Sequence, residues 1–233
     1  MNQTIDLLTS HRSIRKFTDE PVDPDLFTRL VEAAQASASS SFLQGVTIIR
    51  VTDPVKRVAL RDVAGGQAYV ETAPEFLVFC ADLSRPMRCC RQHGGTPAEG
   101  LTEQFVIATV DAALYAQNLV IAAESVGLGI CYIGALRNNP AKVTELLDLP
   151  QQVYPAFGLC LGHPAQDPEV KPRLPVSVTL KTDSYSTDGE DKAIAAYDEE
   201  MRTYYANRSA KIKIQGWSDP VSYTHLRAHE TLI

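Results

Sequence analysis

The chain is poor in tryptophan (one), methionine (three) and cysteine (five) across its 233 residues. Five cysteines is an odd number. No spacing among Cys80, Cys89, Cys90, Cys131 and Cys160 matches a zinc or redox motif, so a disulfide framework is not expected. The neighbours Cys89 and Cys90, with His93 close by, offer poor tetrahedral geometry for a metal. Positive charge is also scarce: 22 Lys+Arg stand against 28 Asp+Glu, a formal net charge of −6. That excludes a general nucleic-acid footprint, and any anion site has to be built from a few clustered cations. The most apolar stretch, Phe105 to Leu128, contains Asp111, Gln117, Asn118 and Glu124 and does not read as a membrane span. The N-terminal MNQTIDLLTSHRSIRKF is interrupted by Asp6 and His11, so it does not read as a signal peptide. A reducing, cytoplasmic setting is expected. Finally, there is no GxSxG, HExxH, P-loop or strand-following GxGxxG. This absence fits a protein whose cofactor carries the chemistry while the chain supplies position and electrostatics.

What is present is an ordinary globular balance of 45% hydrophobic and 21% charged residues, at a length that suits one domain. A short helix is predicted over about Thr4–Leu8. A second starts at Asp23-Pro24, where Asp23 caps and Pro24 takes the first helical position. Phe27, Leu30, Val31 and Ala34 then share one face. Strands are expected at Val46–Thr52, Glu75–Ala81, Ile130–Ile133 and Tyr154–Gly162. Helices are expected at Asp53–Ala64, Asn138–Leu147 and Asp191–Asn207, and Arg85–Gly100 reads as a polar insertion. A long helix from Thr102 to Val126, stopped by Gly127, is apolar around most of its circumference and is expected to be central and buried. The pattern predicts an α+β layer fold.

Three clusters carry candidate chemistry. His11-Arg12-Ser13-Ile14-Arg15 packs three basic side chains and a hydroxyl into five residues, a donor set suited to a phosphate or an anionic ring. The alternative is a solvated turn whose arginines pair with surface acids. Lys171-Pro172-Arg173 holds two cations about a stiff proline, and an ordinary surface loop explains it equally well. Gly127 to Gly134 places glycines before and after a short strand, where backbone can approach a flat ligand. The alternative there is simple helix capping and turns.

Taken together, HRSIRKFTDEPV, SSSFLQ, GGQ, FCAD, AQNLVIAAESVGLG, YIGALRNNP, FGLCLGHP and KPRLP occur in one order over residues 1 to 219. That ordered set resembles the NfsA-type oxygen-insensitive NADPH nitroreductases and the related NADPH:FMN oxidoreductases (flavin reductases) of the nitroreductase superfamily. The resemblance implies an α+β, nitroreductase-like fold with a mainly antiparallel sheet flanked by helices, in an intertwined homodimer. It implies FMN as cofactor and NADPH as cosubstrate, with two-electron ping-pong transfer to nitroaromatics, quinones and similar small acceptors. By position it assigns FMN contacts to His11, Arg12, Ser13, Ile14, Arg15, Ser39, Gln67, Tyr69, Tyr132, Ile133, Gly134, Ala135, Lys171, Pro172 and Arg173. Ala135 departs from the family's usual glycine by one methyl. Arg208 matches the position that meets the NADPH 2′-phosphate, and Lys213 stands where a second arginine is common. Ser41 and Phe42 are the expected substrate wall.

A flavin reductase releasing reduced FMN, and a flavin-binding module without turnover, share nearly all these motifs. After Trp217-Ser218-Asp219 the likeness stops. The closing SYTHLRAHETLI resembles translated adapter sequence, so residues 220–233 are expected to be a non-native tail, and His225, Arg227 and His229 are not read as functional.

Overall fold

The computed structural model describes residues 2–208 and 215–220. The chain divides into two compact units, one ending at Asp167 and one beginning at Pro168.

In the first unit, helices start where small polar side chains take up orphan backbone N–H groups. Asn2 caps α1 (Gln3–Thr9), Asp23 caps α2 (Pro24–Gln35) and Asp53 caps α3 (Pro54–Val63), the last two with proline at the first helical turn. Four strands follow the expected positions: β1 (Val46–Arg50), β2 (Glu75–Asp82), β3 (Gly129–Ile133) and β4 (Val153–Gly162). They form one sheet in the order β1-β2-β4-β3, and every pairing is antiparallel. β2 and β4 are central and read as near-continuous apolar runs, because helices cover both faces.

Each face has its own core. On one, Leu77, Phe79, Ile130, Leu159 and Leu161 meet α2 and the long helix α6 (Thr102–Ser125). On the other, Phe76, Val78, Cys131, Ile133 and Cys160 meet α3, α4 (Tyr69–Thr72) and α7 (Pro140–Leu146). Alternate strand residues go to opposite faces, and this separates Ile130 and Tyr132 from Cys131 and Ile133.

Two expectations need correction. Ser84–Gln92 is a helix, α5, rather than an irregular insertion; Met87 anchors it in the interior, and Pro86 sits in its first turn, where the missing N–H costs nothing. And α6 is buried on one side only. Ala108, Asp111, Ala112, Tyr115, Ala116, Leu119, Val120 and Ala123 face inward, while Phe105, Val106, Val110 and Leu114 are exposed. By length and composition α6 would suffice to cross a membrane, yet it packs on α2 and the sheet.

The second unit contains α8 (Val176–Thr179) and α9 (Glu190–Asn207). Asp198 on α9 accepts hydrogen bonds from Trp217 N (2.6 Å), Ser218 N (2.8 Å) and the Ser218 hydroxyl (2.5 Å), tying residues 216–219 to the helix. Burial opposes the charge on Asp198, but the Ser218 and Trp217 bonds outweigh it and lower its pKa.

Candidate active site

Residues 11–18 run as an extended segment beside the end of the sheet. Ile14 N donates to Ile130 O at 2.8 Å and Thr18 N to His163 O at 2.9 Å. Ile14 is buried against Gly129, where an added Cβ would lie 2.6 Å from Ile14 Cγ1. Only glycine lets the segment pack this close. In an extended segment the neighbours of Ile14 face the other way, and Arg15 is exposed.

Arg15 lies close to Tyr69. Burial raises the Tyr69 pKa, Cys131 adds to this, and the Arg15 cation opposes it. The Tyr69 hydroxyl donates to Gln67 Oε1, while Gln67 Nε2 donates to Ala64 O at 2.8 Å. Two segments far apart in sequence, Arg15 and Gln67–Tyr69, thus meet in one polar cluster. Its floor is α4, which is fixed from below. Arg57 donates to Val70 O (3.1 Å) and to Ala73 O, and the Cys160 thiol donates to Tyr69 O (3.2 Å). Gly65 and Gly66, both at positive φ and with open space around them, form the loop leading into Gln67.

The other members of the first cluster are already paired. His11 Nδ1 lies 2.7 Å from Glu124 Oε1, and Arg12 meets Asp167 at 2.5 Å. The Arg12–Asp167 pair is exposed, with Asp167 at 83%, and such a pair is worth about 0–1 kcal/mol. An incoming phosphate would displace Asp167 at little cost. Ser13 is half-buried between these residues and Ile14.

The motif Tyr132 to Ala135 is divided by the fold. Ile133 is fully buried in the core beneath α3 and α7 and offers a ligand only its backbone; Ala135 packs on that same core. Gly134 opens a 3₁₀ turn, and a Cβ there would come within 3.1 Å of the Arg137 guanidinium. Tyr132 points to the opposite face, against Phe157, with its hydroxyl 3.4 Å from Gln117 Oε1. Burial, with Glu124 nearby, pushes its pKa up to about 12. It lines a shallow apolar groove with Val110, Ala113, Leu114, Gln117 and Phe157.

Ser39, Ser41 and Phe42 lie on a loop with an uncommon backbone. Ser41, Phe42 and Gln44 have φ of 50°, 57° and 53°, and Phe42 is 81% exposed at its tip. Asp111, buried on α6, accepts from Ser39 Oγ (2.6 Å), Ser40 N (3.1 Å) and Gly45 N (3.0 Å). Arg85 on α5 donates to Gln44 O (3.3 Å) and Val46 O (3.2 Å) from outside the loop. Sequence reasoning assigned no role at the site to Asp111 or Arg85. The available signal was a lone aspartate between Val110 and Ala112 on a helix otherwise apolar along that side.

In the second unit, Lys171 and Arg173 are exposed, and Arg173 donates to Lys171 O at 3.3 Å. Pro172 O accepts from the Tyr197 hydroxyl at 2.9 Å. Lys171 Nζ and the Arg208 guanidinium both sit over the Tyr205 ring, 5.4 Å and 4.7 Å from its centroid. Arg208 is therefore joined to the K-P-R motif through one aromatic ring. Lys213 lies outside the described residues, as do residues 221–233.

The family model for the nitroreductase family matches residues 8–163, more than half of the chain, and the model for the family's C-terminal domain matches residues 171–230. The chain belongs to the nitroreductase family. Within that family it is 46% identical, over all of its length and 95% of the relative's, to an oxygen-insensitive NADPH nitroreductase of Salmonella typhimurium. It is 47% identical to an NADPH-flavin oxidoreductase of Vibrio harveyi, covering 95% of this chain and 90% of that one. The crystal structure of nitroreductase A from Vibrio parahaemolyticus superposes with a TM-score of 0.87 at 47% identity, over 95% of this chain and 90% of that one. The nitroreductase fold places the antiparallel sheet and its flanking helices where the sequence put them.

Proposed function

We propose that the protein is an NADPH-dependent, FMN-containing oxidoreductase that reduces nitroaromatics, quinones and related small acceptors. The observation that carries this reading is the Arg15–Tyr69–Gln67 cluster, built from two separate segments and backed by a glycine-lined approach at Gly65-Gly66 and Gly134. The relatives named above as NADPH nitroreductase and NADPH-flavin oxidoreductase support the coenzyme and the flavin.

FMN, when bound, takes a hydride from the coenzyme and passes two electrons to an acceptor. The chain's own contribution is position and charge. Arg15 is an exposed cation held beside a hydroxyl and an amide, a donor set that suits the anionic pyrimidine edge of a reduced flavin. His11, Arg12 and Ser13 suit the phosphate and ribityl chain, with Asp167 giving way to the phosphate. Ser39 and the backbone of Ile14 and of Ile133 to Ala135 complete the first unit's share. Lys171, Pro172 and Arg173 are assigned to the same ligand on the resemblance. Arg208, with Lys213, is assigned to the 2′-phosphate of NADPH, and Ser41 and Phe42 to the acceptor.

The exposed apolar side of α6, Phe105, Val106, Val110 and Leu114, supports a homodimer, since a soluble monomer rarely leaves such a stripe open. Five free thiols fit a cytoplasmic setting. The test is steady-state NADPH oxidation with nitrofurazone, a quinone and free FMN as acceptors. Turnover with the first two is expected. Turnover with free FMN alone would favour a flavin reductase, and none with any acceptor would reject the enzyme reading.

A further inference from the structure

We infer that Asp111 is the positioning residue that holds the acceptor-facing loop in its productive shape. Three loop donors converge on this one buried carboxylate. Oδ2 accepts from Ser39 Oγ at 2.6 Å and Gly45 N at 3.0 Å, and Oδ1 from Ser40 N at 3.1 Å. Ser39 Oγ in turn accepts from Gln44 N at 2.6 Å, so the bond network reaches both ends of the loop. Between those ends Ser41, Phe42 and Gln44 all adopt positive φ, a conformation that L side chains resist and that persists only where the surroundings impose it. Burial does not hold the residues at positive φ: Ser41, Phe42 and Gln44 are exposed, and of the loop's side chains between Ser40 and Gln44 the half-buried one is Leu43. Arg85 holds the Gln44 and Val46 carbonyls from the other side, so acceptor and donor groups of the loop are taken up by opposite charges on two different helices. Gly45 lies on the α6 backbone, and a Cβ there would stand 3.4 Å from Ala108 Cα, so the loop rests directly on the helix that carries its anchor.

The consequence is specific. Asp111 lies behind the loop, and the exposed tip is Phe42. Releasing the anchor leaves the Arg15 cluster intact, because that cluster is held by Arg57 and Cys160 on the other face of the sheet. The loop from Ser39 to Gly45, with the acceptor-facing Ser41 and Phe42, is what loses definition. Asparagine at 111 keeps the size but replaces one acceptor oxygen with a donor NH₂, which cannot receive the Ser39 hydroxyl and the Gly45 amide together.

This inference rests on the reading of Ser41 and Phe42 as the acceptor wall, so its test has two parts. The first is amide hydrogen exchange of purified full-length protein with and without Asp111→Asn. Exchange across residues 39–45 is expected to rise by about tenfold or more, with residues 115–123 of α6 unchanged. The second is steady-state kinetics. The KM for nitrofurazone is expected to rise about tenfold while the KM for NADPH stays within about twofold and bound flavin is retained. Ser39→Ala, which removes one bond of the network, provides a milder version of the exchange shift should Asp111→Asn not fold. Unchanged exchange in the loop, or an equal rise in both KM values, overturns the inference. Raised loop exchange with an unchanged nitrofurazone KM overturns the acceptor role. If the unmodified protein holds no flavin and turns over no acceptor, the proposed function fails, and the exchange result still decides the anchor.

Discussion

The two faces of the sheet carry different kinds of surface. Beneath α3, α4 and α7 the sheet ends in a polar cluster, Arg15, Gln67 and Tyr69, in which Tyr69 donates to Gln67 and Gln67 to Ala64 O. On the α6 face the same strands end in an apolar groove of Val110, Leu114, Tyr132 and Phe157, with the Tyr132–Gln117 contact its weak polar link. The first surface, on the proposed function, orients a charged small molecule. The second has shape and hydrophobicity but few directional groups, which suits another protein surface. A motif that runs from Tyr132 to Ala135 serves both, because strand alternation sends consecutive side chains to opposite faces.

Three substitutions sharpen the contrast, in decreasing order of effect. Arg15→Ala removes a charge-assisted hydrogen bond worth about 1.5–3 kcal/mol and is expected to weaken FMN binding roughly ten- to a hundredfold, read by flavin fluorescence titration. Leu114→Asp places a charge in the apolar stripe of α6. It is expected to shift the protein toward monomer by sedimentation while leaving the helical circular dichroism unchanged. Tyr132→Phe removes only a hydroxyl 3.4 Å from its partner and should change FMN affinity by less than about twofold. If Tyr132→Phe and Arg15→Ala weakened FMN equally, the division between the faces would be wrong.

The proposed function assigns coenzyme choice to Arg208, in the second unit. Arg208→Ala is expected to lower kcat/KM for NADPH about ten- to a hundredfold. NADH, which lacks the 2′-phosphate, should be nearly unaffected in the same assay. Equal loss for both coenzymes would reject the assignment of Arg208 to the 2′-phosphate.

Much of this arrangement was legible in the sequence because local rules act locally. Asp23-Pro24 and Asp53-Pro54 announce helix starts, and the four apolar runs became four strands. The motifs picked out Arg15, Gln67 and Tyr69, which the fold brings together. What was not legible depends on distant partners. α5 lacks a capping side chain and has Pro86 near its start, so only the burial of Met87 reveals why it is helical. An apolar circumference on α6 does not say which side the protein covers itself. Asp111 reads as a polar interruption until the chain folds and three loop donors arrive on it from residues 39–45.

The most direct test of the central claim is titration of the flavin-stripped protein with FMN, followed by absorbance and by quenching of flavin fluorescence, beside Arg15→Ala. The account predicts a yellow protein that saturates with FMN and a variant whose dissociation constant is roughly ten- to a hundredfold higher. A protein that stays colourless in excess FMN, or a variant that binds it as tightly as the unmodified chain, would contradict it.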